Sequence, residues 1–303
     1  MDRLETNICG VTLSNPIIAA SGTFGYGLEY KRHTNVDEIG AIVIKGISLN
    51  ERNGNPMPRL VETYSGILNG IGYPNVGVNS FIKTKMAALK SFKSKIILNI
   101  LGDTPEEYTA VTEILADQER VDMIEVNISN INPENNQPFY KDLDLTKKII
   151  ESTKKAAKNK PVIIKLSPDV ADIIPYVKAC EDFGADAISA INFIPGISVN
   201  IDKMKPALGS IYGGLSGPAI KPIALRFVKE IYESTKLPVI GGGGISCWRD
   251  VAEFILTGAT AVQIGSANFM DNNVCVEAIH DFNKYLEEKE VEHYSNIIGI
   301  AFK

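Results

Sequence analysis

Two glycine-rich turns late in the chain have the composition of a phosphate site. Val239-Ile240 runs into Gly241-Gly242-Gly243-Gly244-Ile245, and Ala261-Val262-Gln263-Ile264 runs into Gly265-Ser266. Backbone N–H groups at such turns can hold an anion, and glycine lets the backbone approach it closely. The same residues also serve as plain tight turns. Other apolar runs end in polar side chains. Lys45 follows Ala41-Ile42-Val43-Ile44, Asn99 sits in Ile96-Ile97-Leu98-Asn99-Ile100, and Asn127 follows Met123 to Val126. Lys165 lies in Pro161-Val162-Ile163-Ile164-Lys165-Leu166, and Asn192 follows Ala187 to Ile191. Asn69, Asn130 and Asn132 stand in adjoining loops.

Carboxamides offer a donor and an acceptor together, which matches imide or carboxamide edges. With two lysines, the set suits an anionic, nitrogen-rich planar ligand, or a flavin whose pyrimidine edge needs donors. Small residues at Ser21-Gly22-Thr23, after Ile17-Ile18-Ala19-Ala20, leave room for something flat.

These residues need elements that bring run ends to one place. The chain offers eight short apolar strands, at 17–20, 41–44, 96–100, 121–126, 161–166, 187–192, 239–242 and 261–264. Helical patterns fall at 81–92, 144–157, 171–183, 222–234, 248–256 and 271–287, with one more beginning near Pro105. Eight strands alternating with helices predict an α/β fold, a (β/α)8 TIM barrel, whose site lies at the C-terminal ends of the strands. Residues 4–13 read as a short hairpin capping the barrel bottom. Residues 49–80 show no period and read as a long functional loop, as does the stretch 195–218. The chain is read as one domain, 1–303.

Composition narrows the function classes. Of 303 residues, 31 are basic and 36 acidic, and no Lys/Arg block occurs, so nucleic acid is not an expected partner. No apolar run approaches a membrane span, and the N-terminus has no signal-like segment, so the expected location is the cytoplasm. Cys9, Cys180, Cys247 and Cys275 form no CxxC, and His33, His280 and His293 form no HxxxH. Neither a disulfide framework, nor an iron–sulfur site, nor a protein-borne catalytic metal is expected. GxGxxG is absent, which removes the anchor for a dinucleotide fold.

The motifs resemble those of the class 1 dihydroorotate dehydrogenases, most of all the catalytic subunit of the class 1B, NAD-linked form. They are Asn15-Pro-Ile-Ile-Ala-Ala-Ser-Gly22, Gly54-Asn-Pro-Met-Pro-Arg59, Gly66-Ile-Leu-Asn-Gly-Ile-Gly72, Glu125-Val-Asn-Ile-Ser129 and Lys165-Leu-Ser-Pro168. Gly213-Gly-Leu-Ser-Gly-Pro-Ala-Ile-Lys-Pro222, Gly242-Gly-Gly-Ile245 and Ile264-Gly-Ser-Ala-Asn-Phe269 complete the set, in order along almost the whole chain. The resemblance implies an FMN flavoprotein of pyrimidine biosynthesis that takes hydride from dihydroorotate. It implies that Ala20, Ser21 and Gly22 lie against the isoalloxazine. Lys45, Asn99, Asn127 and Lys165 would contact the ring or ribityl chain, and Ile191 would use its backbone. Gly217, Gly243, Gly244, Gly265 and Ser266 would surround the phosphate. Lys45, Asn69, Asn127, Asn132 and Asn192 would form the wall that recognises a pyrimidine-like substrate. The implied partners are a second copy, forming a homodimer, and an electron-transfer subunit carrying FAD and a 2Fe–2S cluster.

The chain departs from the pattern where the chemistry is done. Class 1 members carry Asn-Ile-Ser-Cys-Pro-Asn, whose cysteine is the base; here the stretch is Asn127-Ile128-Ser129-Asn130-Ile131-Asn132. A neutral amide cannot replace a thiolate. Phe193 stands where a hydroxyl residue is expected after Asn192, and residues 133–140 lack the usual glycines. Ser129, Tyr140 and Lys141 are the candidate replacements for the base. The alternatives are a diverged FMN oxidoreductase with another substrate, or a flavin-binding homologue with little turnover.

Overall fold

The computed structural model describes residues 3–303. Its strands are β1 (Thr6–Ile8), β2 (Val11–Leu13), β3 (Ile17–Ala19), β4 (Ala41–Ile47), β5 (Leu60–Thr63), β6 (Gly66–Asn69), β7 (Lys95–Ile100), β8 (Met123–Asn127) and β9 (Ile131–Asn132). They continue with β10 (Gln137–Pro138), β11 (Val162–Leu166), β12 (Ala187–Ala190), β13 (Ile194–Gly196), β14 (Val199–Asn200), β15 (Lys205–Pro206), β16 (Gly213–Ser216), β17 (Val239–Gly242) and β18 (Ala261–Ile264). Helices are α1 (Val78–Thr84), α2 (Met86–Leu89), α3 (Pro105–Ala116), α4 (Leu143–Ala156), α5 (Ile174–Asp182), α6 (Lys221–Ser234), α7 (Trp248–Thr257) and α8 (Val274–Glu288).

Eight strands close into a parallel barrel in the order β3-β4-β7-β8-β11-β12-β17-β18, as the pattern predicts. Strands buried on both faces read as continuous apolar runs, which is why AIVI, KIIL and VII were legible. Alternation decides which side chains meet. Ile42, Ile44, Ile96, Leu98, Ile124 and Ile164 face the helices, in the larger apolar cluster. Ile18, Val43, Ile97, Met123, Ile163 and Ile240 face inward and pack against Ile8 and Leu13 of the β1–β2 hairpin. The hairpin therefore plugs the bottom of the barrel.

Helix starts follow local chemistry. Thr104 caps α3 by accepting from Glu107 N at 3.2 Å, with Pro105 in its first turn. Asp142 caps α4 by accepting from Leu145 N at 2.9 Å.

Two expectations need correction. The stretch 49–80 is not structureless: β5 and β6 form a hairpin that joins β16 and β13 in an antiparallel sheet of order β13-β16-β6-β5. Each strand is three or four residues long, and β6, β13 and β16 contain glycine. Asn69 pairs with Gly214, 145 residues away, so no local period betrays the sheet. The helix expected over 81–92 begins earlier, at Val78, and breaks at Lys85 into α1 and α2. No helix among the described residues is long and apolar enough to cross a membrane.

Candidate active site

Counting by two along the barrel strands from the apolar plug leads to Lys45, Asn99, Glu125, Lys165, Ser189 and Gln263. The layer above the plug is therefore polar, and its hub is Glu125, which is fully buried. The Glu125 carboxylate accepts from Asn99 Nδ2 at 2.8 Å, Ser189 Oγ at 3.0 Å and Gln263 Nε2 at 2.5 Å. Lys165 Nζ donates to Gln263 Oε1 at 3.0 Å and lies 3.7 Å from Glu125 Oε1. A carboxylate taken out of water this completely is tolerated only because every neighbour donates to it. Lys45 is half-buried, with its Nζ 5.9 Å from the Tyr26 ring centroid. Burial lowers its pKa; Glu29 opposes that shift and Arg59 adds to it.

The amides at the strand ends form a second tier. Asn127 Oδ1 accepts from Ser129 N at 3.0 Å and from Asn192 Nδ2 at 3.3 Å, while its backbone oxygen accepts from Tyr108 Oη at 2.6 Å. Asn192 Nδ2 also donates to Ser129 Oγ at 2.9 Å. Asn69 Nδ2 donates to Gly214 O at 2.9 Å, tying the antiparallel sheet over the barrel mouth. The Phe193 ring lies on the same glycine: a Cβ at Gly214 would sit 2.3 Å from Phe193 Cγ. Asn132 sits off this network. Its Oδ1 closes a turn with Glu134 N at 3.0 Å, and it lines a cleft shared with Asp103, Thr104, Phe139, Leu145 and Lys148.

Asn130 is buried and fully engaged. Its Nδ2 donates to Gly102 O at 2.6 Å and Asp103 Oδ1 at 3.0 Å, and its Oδ1 accepts from Arg52 Nη1 at 3.2 Å. Arg52 Nη2 also pairs with Asp103 at 2.7 Å. Asn130 thus clips the active-site loop to the loops after β4 and β7. Tyr140 Oη donates to Asp169 Oδ2 at 2.9 Å, and Lys141 Nζ pairs with the same carboxylate at 2.9 Å. That anchor engages both side chains, while Tyr140 N donates to Ile128 O at 3.2 Å. No cysteine is at the loop. Cys9 belongs to the hairpin end, with its thiol pushed up to about 11, first by burial and then by Asp186, against a smaller lowering by Lys154. Cys247 caps α7, and Cys180 and Cys275 are buried in α5 and α8.

Sequence reasoning passed over Glu125 and Gln263, although a glutamate inside an apolar strand was a usable signal. It also passed over Arg52, Asp103 and Tyr73. Tyr73 follows β6, and its backbone oxygen accepts from Asn75 Nδ2 at 3.0 Å.

The glycine turns come together beside this tier. A Cβ on Gly244 (φ +83°) would lie 2.8 Å from Lys221 N and 2.9 Å from Gly217 O. One on Gly243 (φ +121°) would lie 2.9 Å from Ala224 Cβ and 3.2 Å from Ile191 Cγ1. The other side of the mouth is open: nothing lies within 4 Å of a Cβ on Gly22, and only Ala20 Cβ, at 3.7 Å, approaches one on Gly265. Lys221 Nζ is neutralised by Asp250 at 2.7 Å and Glu253 at 3.0 Å, so an anion here would be met by backbone.

A family profile described as dihydroorotate dehydrogenase matches residues 3–286. Several relatives carry the name dihydroorotate dehydrogenase B (NAD(+)), catalytic subunit. That of Caldicellulosiruptor saccharolyticus is 46% identical over 298 residues, 98% of each chain. That of Geobacter sulfurreducens is 43% identical over 297 residues, 98% of this chain and 97% of the relative. That of Alkaliphilus metalliredigens is 42% identical over 298 residues, 98% of each chain.

Proposed function

The chain belongs to the dihydroorotate dehydrogenase family, and from that premise we propose that it is an FMN-dependent oxidoreductase acting on a dihydroorotate-like ring. The observation that carries this reading is the pairing of a glycine cradle with a polar layer at the C-terminal ends of the barrel strands. The residues fit FMN. Gly217, Gly243, Gly244, Gly265 and Ser266 present backbone to a phosphate, with Ile191 beside them. Ala20, Ser21 and Gly22 give a flat, small-residue floor, and Lys45, Asn99, Asn127 and Lys165 supply donors and positive charge to the ring. When bound, the flavin would supply two-electron, hydride-accepting chemistry. The chain's own side chains would do the rest. Lys45, Asn69, Asn127 and Asn192, with Asn132 and Phe193 at the edge, would orient a cyclic ureide and exclude water from it.

The relatives' name, catalytic subunit of an NAD(+)-linked enzyme, supports a partner subunit that passes electrons to NAD. We propose that this partner carries FAD and a 2Fe–2S cluster, and that the chain pairs with itself. The engagement of Asn130 favours a second reading, a family member with a changed substrate.

Heat-released cofactor, run against FMN, FAD and riboflavin standards, tests the first reading. One FMN per chain is expected, and colourless protein that FMN cannot reconstitute would overturn it. Gly244→Ala should weaken FMN binding by about tenfold or more, because a left-handed alanine costs roughly 1–2 kcal/mol before the Lys221 clash is added. Gly10→Ala is the control: its φ is +85° in the hairpin at the far end, with nothing within 4 Å of a Cβ. It should lose stability but not flavin. Equal flavin titrations for the two variants would remove the cradle from the cofactor site.

A further inference from the structure

Among the described residues, one buried side-chain polar atom has no hydrogen-bond partner, and it is Thr34 Oγ1. Thr34 is only 9% exposed. An unpaired buried hydroxyl needs a reason, and a bound ligand is one. Thr34 lines a hollow of about 500 Å³ between the β3–β4 connection and the start of α8. The hollow shares no residue with the glycine cradle or with the polar layer of the barrel.

Unpaired positive charge collects at the same place. Lys31, Arg32 and His33 are consecutive, exposed and part of the lining. Lys31 Nζ donates to Ser91 Oγ at 3.0 Å and lies 5.3 Å from the Phe92 ring centroid, so it meets no carboxylate. The Arg32 and His33 side chains have no hydrogen-bond or ion-pair partner among the described residues. The chain as a whole has 36 acidic against 31 basic residues, so this local balance runs against the rest of its surface. On the facing side, Asn273 is the cap position of α8, a helix of 15 residues, and no side chain caps its first turn. The positive end of the helix dipole therefore borders the hollow. Two acids stand at that helix start: Asp271 Oδ1 accepts from Asn273 N at 2.8 Å, and Glu277 lies in the first turn. They soften the charge and do not pair with Arg32 or His33. The turn itself is held in place. Tyr30 O accepts from His33 N at 2.8 Å and from Thr34 N at 3.1 Å, and Tyr30 Oη donates to Thr23 O at 2.9 Å. A site ordered before its ligand arrives loses less entropy on binding.

We propose that this hollow binds a small sugar phosphate, at a site separate from the flavin cradle. Arg32 receives the phosphate through its planar fork, His33 and the start of α8 add to the attraction, and Thr34 Oγ1 donates to a phosphate oxygen. The remaining lining suits hydroxyl groups. Asn35 Nδ2 donates to Glu38 Oε1 at 2.6 Å, which leaves Asn35 Oδ1 to accept. Asp37 Oδ1 accepts from Lys93 N at 2.9 Å, which leaves its second oxygen to accept. Val36 is the one aliphatic residue of the lining, and no Phe, Tyr or Trp lines it to stack a base. The body of the ligand is therefore a polyol rather than a nucleoside. The volume is in the range of small-molecule sites. The site stands on these residues and not on the flavin reading.

The test titrates ribose 5-phosphate by calorimetry into FMN-saturated protein in phosphate-free buffer, so that the cradle is already filled. Saturable binding of one ligand per chain is expected. Arg32→Ala should weaken it at least about tenfold, the scale of a hydrogen bond to a charged group. Thr34→Val should weaken it about three- to tenfold, the scale of one ordinary hydrogen bond. The same Thr34→Val protein should unfold in urea no earlier than the parent, because its lost hydroxyl leaves no partner behind. Both variants should keep FMN. Ribose and inorganic phosphate should each bind more weakly than the ester, since each offers part of the recognised groups. No saturable binding to the parent would overturn the proposal, as would binding that both variants leave unchanged. Inorganic phosphate that binds as tightly as the ester would overturn the sugar assignment, and so would tighter binding of adenosine monophosphate. Thr34→Val protein that unfolds clearly earlier would show that the hydroxyl serves the fold, which also counts against the site. Protein that takes up no flavin defeats the cofactor reading instead, and the same titrations on flavin-free parent and variants still decide this one.

Discussion

Glu125→Ala is expected to lose roughly 3–5 kcal/mol of stability, the cost of removing one partner from a buried, hydrogen-bonded charge cluster. The size follows from what remains. Asn99 Nδ2, Ser189 Oγ and Gln263 Nε2 each lose their acceptor inside a closed barrel, and Lys165 loses its counter-charge. Glu125→Gln is expected to be nearly as damaging despite its shape. Its NH2 group must face either Asn99 or Gln263, both already donors, and Lys165 keeps no carboxylate. The measurement is urea unfolding of flavin-free protein, so that ligand binding does not mask the loss. Glu151→Ala, on the exposed face of α4, is the control and should stay within about 0.5 kcal/mol. A loss below about 1 kcal/mol at Glu125, in the range of one ordinary hydrogen bond, would show that the layer is not a coupled unit. The same substitution should release the flavin, since Asn99 and Lys165 are positioned by that carboxylate.

This hub was hidden in plain sequence. The barrel was legible because parallel strands buried on both faces leave apolar runs of fixed length, and the glycine turns mark where two of them end. Asn127 and Asn192 were legible as amides closing such runs. Glu125 and Gln263 were not, because one polar residue inside a strand reads as noise until the alternation is fixed in three dimensions. The clip of Arg52, Asp103 and Asn130 joins positions 51 and 27 residues apart, with no motif to link them. The antiparallel sheet is less legible still, since its strands pair across 145 residues through glycines that carry no side-chain pattern.

Asn130 gives the remaining large effect. With dihydroorotate at neutral pH, flavin reduction should be slower by roughly 10²–10⁴ than in a site with a competent base, the usual contribution of general base catalysis. An ordinary thiol ionises near 8.5 and would offer a base that the Asn130 amide does not. Arg52, which reaches position 130, would lower a thiol further. Asn130→Cys alone is a poor test, because it strips Gly102 O and Arg52 Nη1 of their partner, at about 1–3 kcal/mol for such buried groups. Combining it with Ile131→Pro stiffens the start of β9, where Ile131 pairs with Pro138, and Phe193→Thr removes the ring from Gly214 and adds a hydroxyl. The triple variant should bleach its flavin at least about tenfold faster than the parent in anaerobic stopped-flow, a cautious fraction of the base contribution. A parent that bleaches rapidly at neutral pH would show that another group takes the proton. A triple variant that folds and binds FMN but is no faster would show that the Arg52–Asp103 clip, rather than the missing thiol, governs this loop.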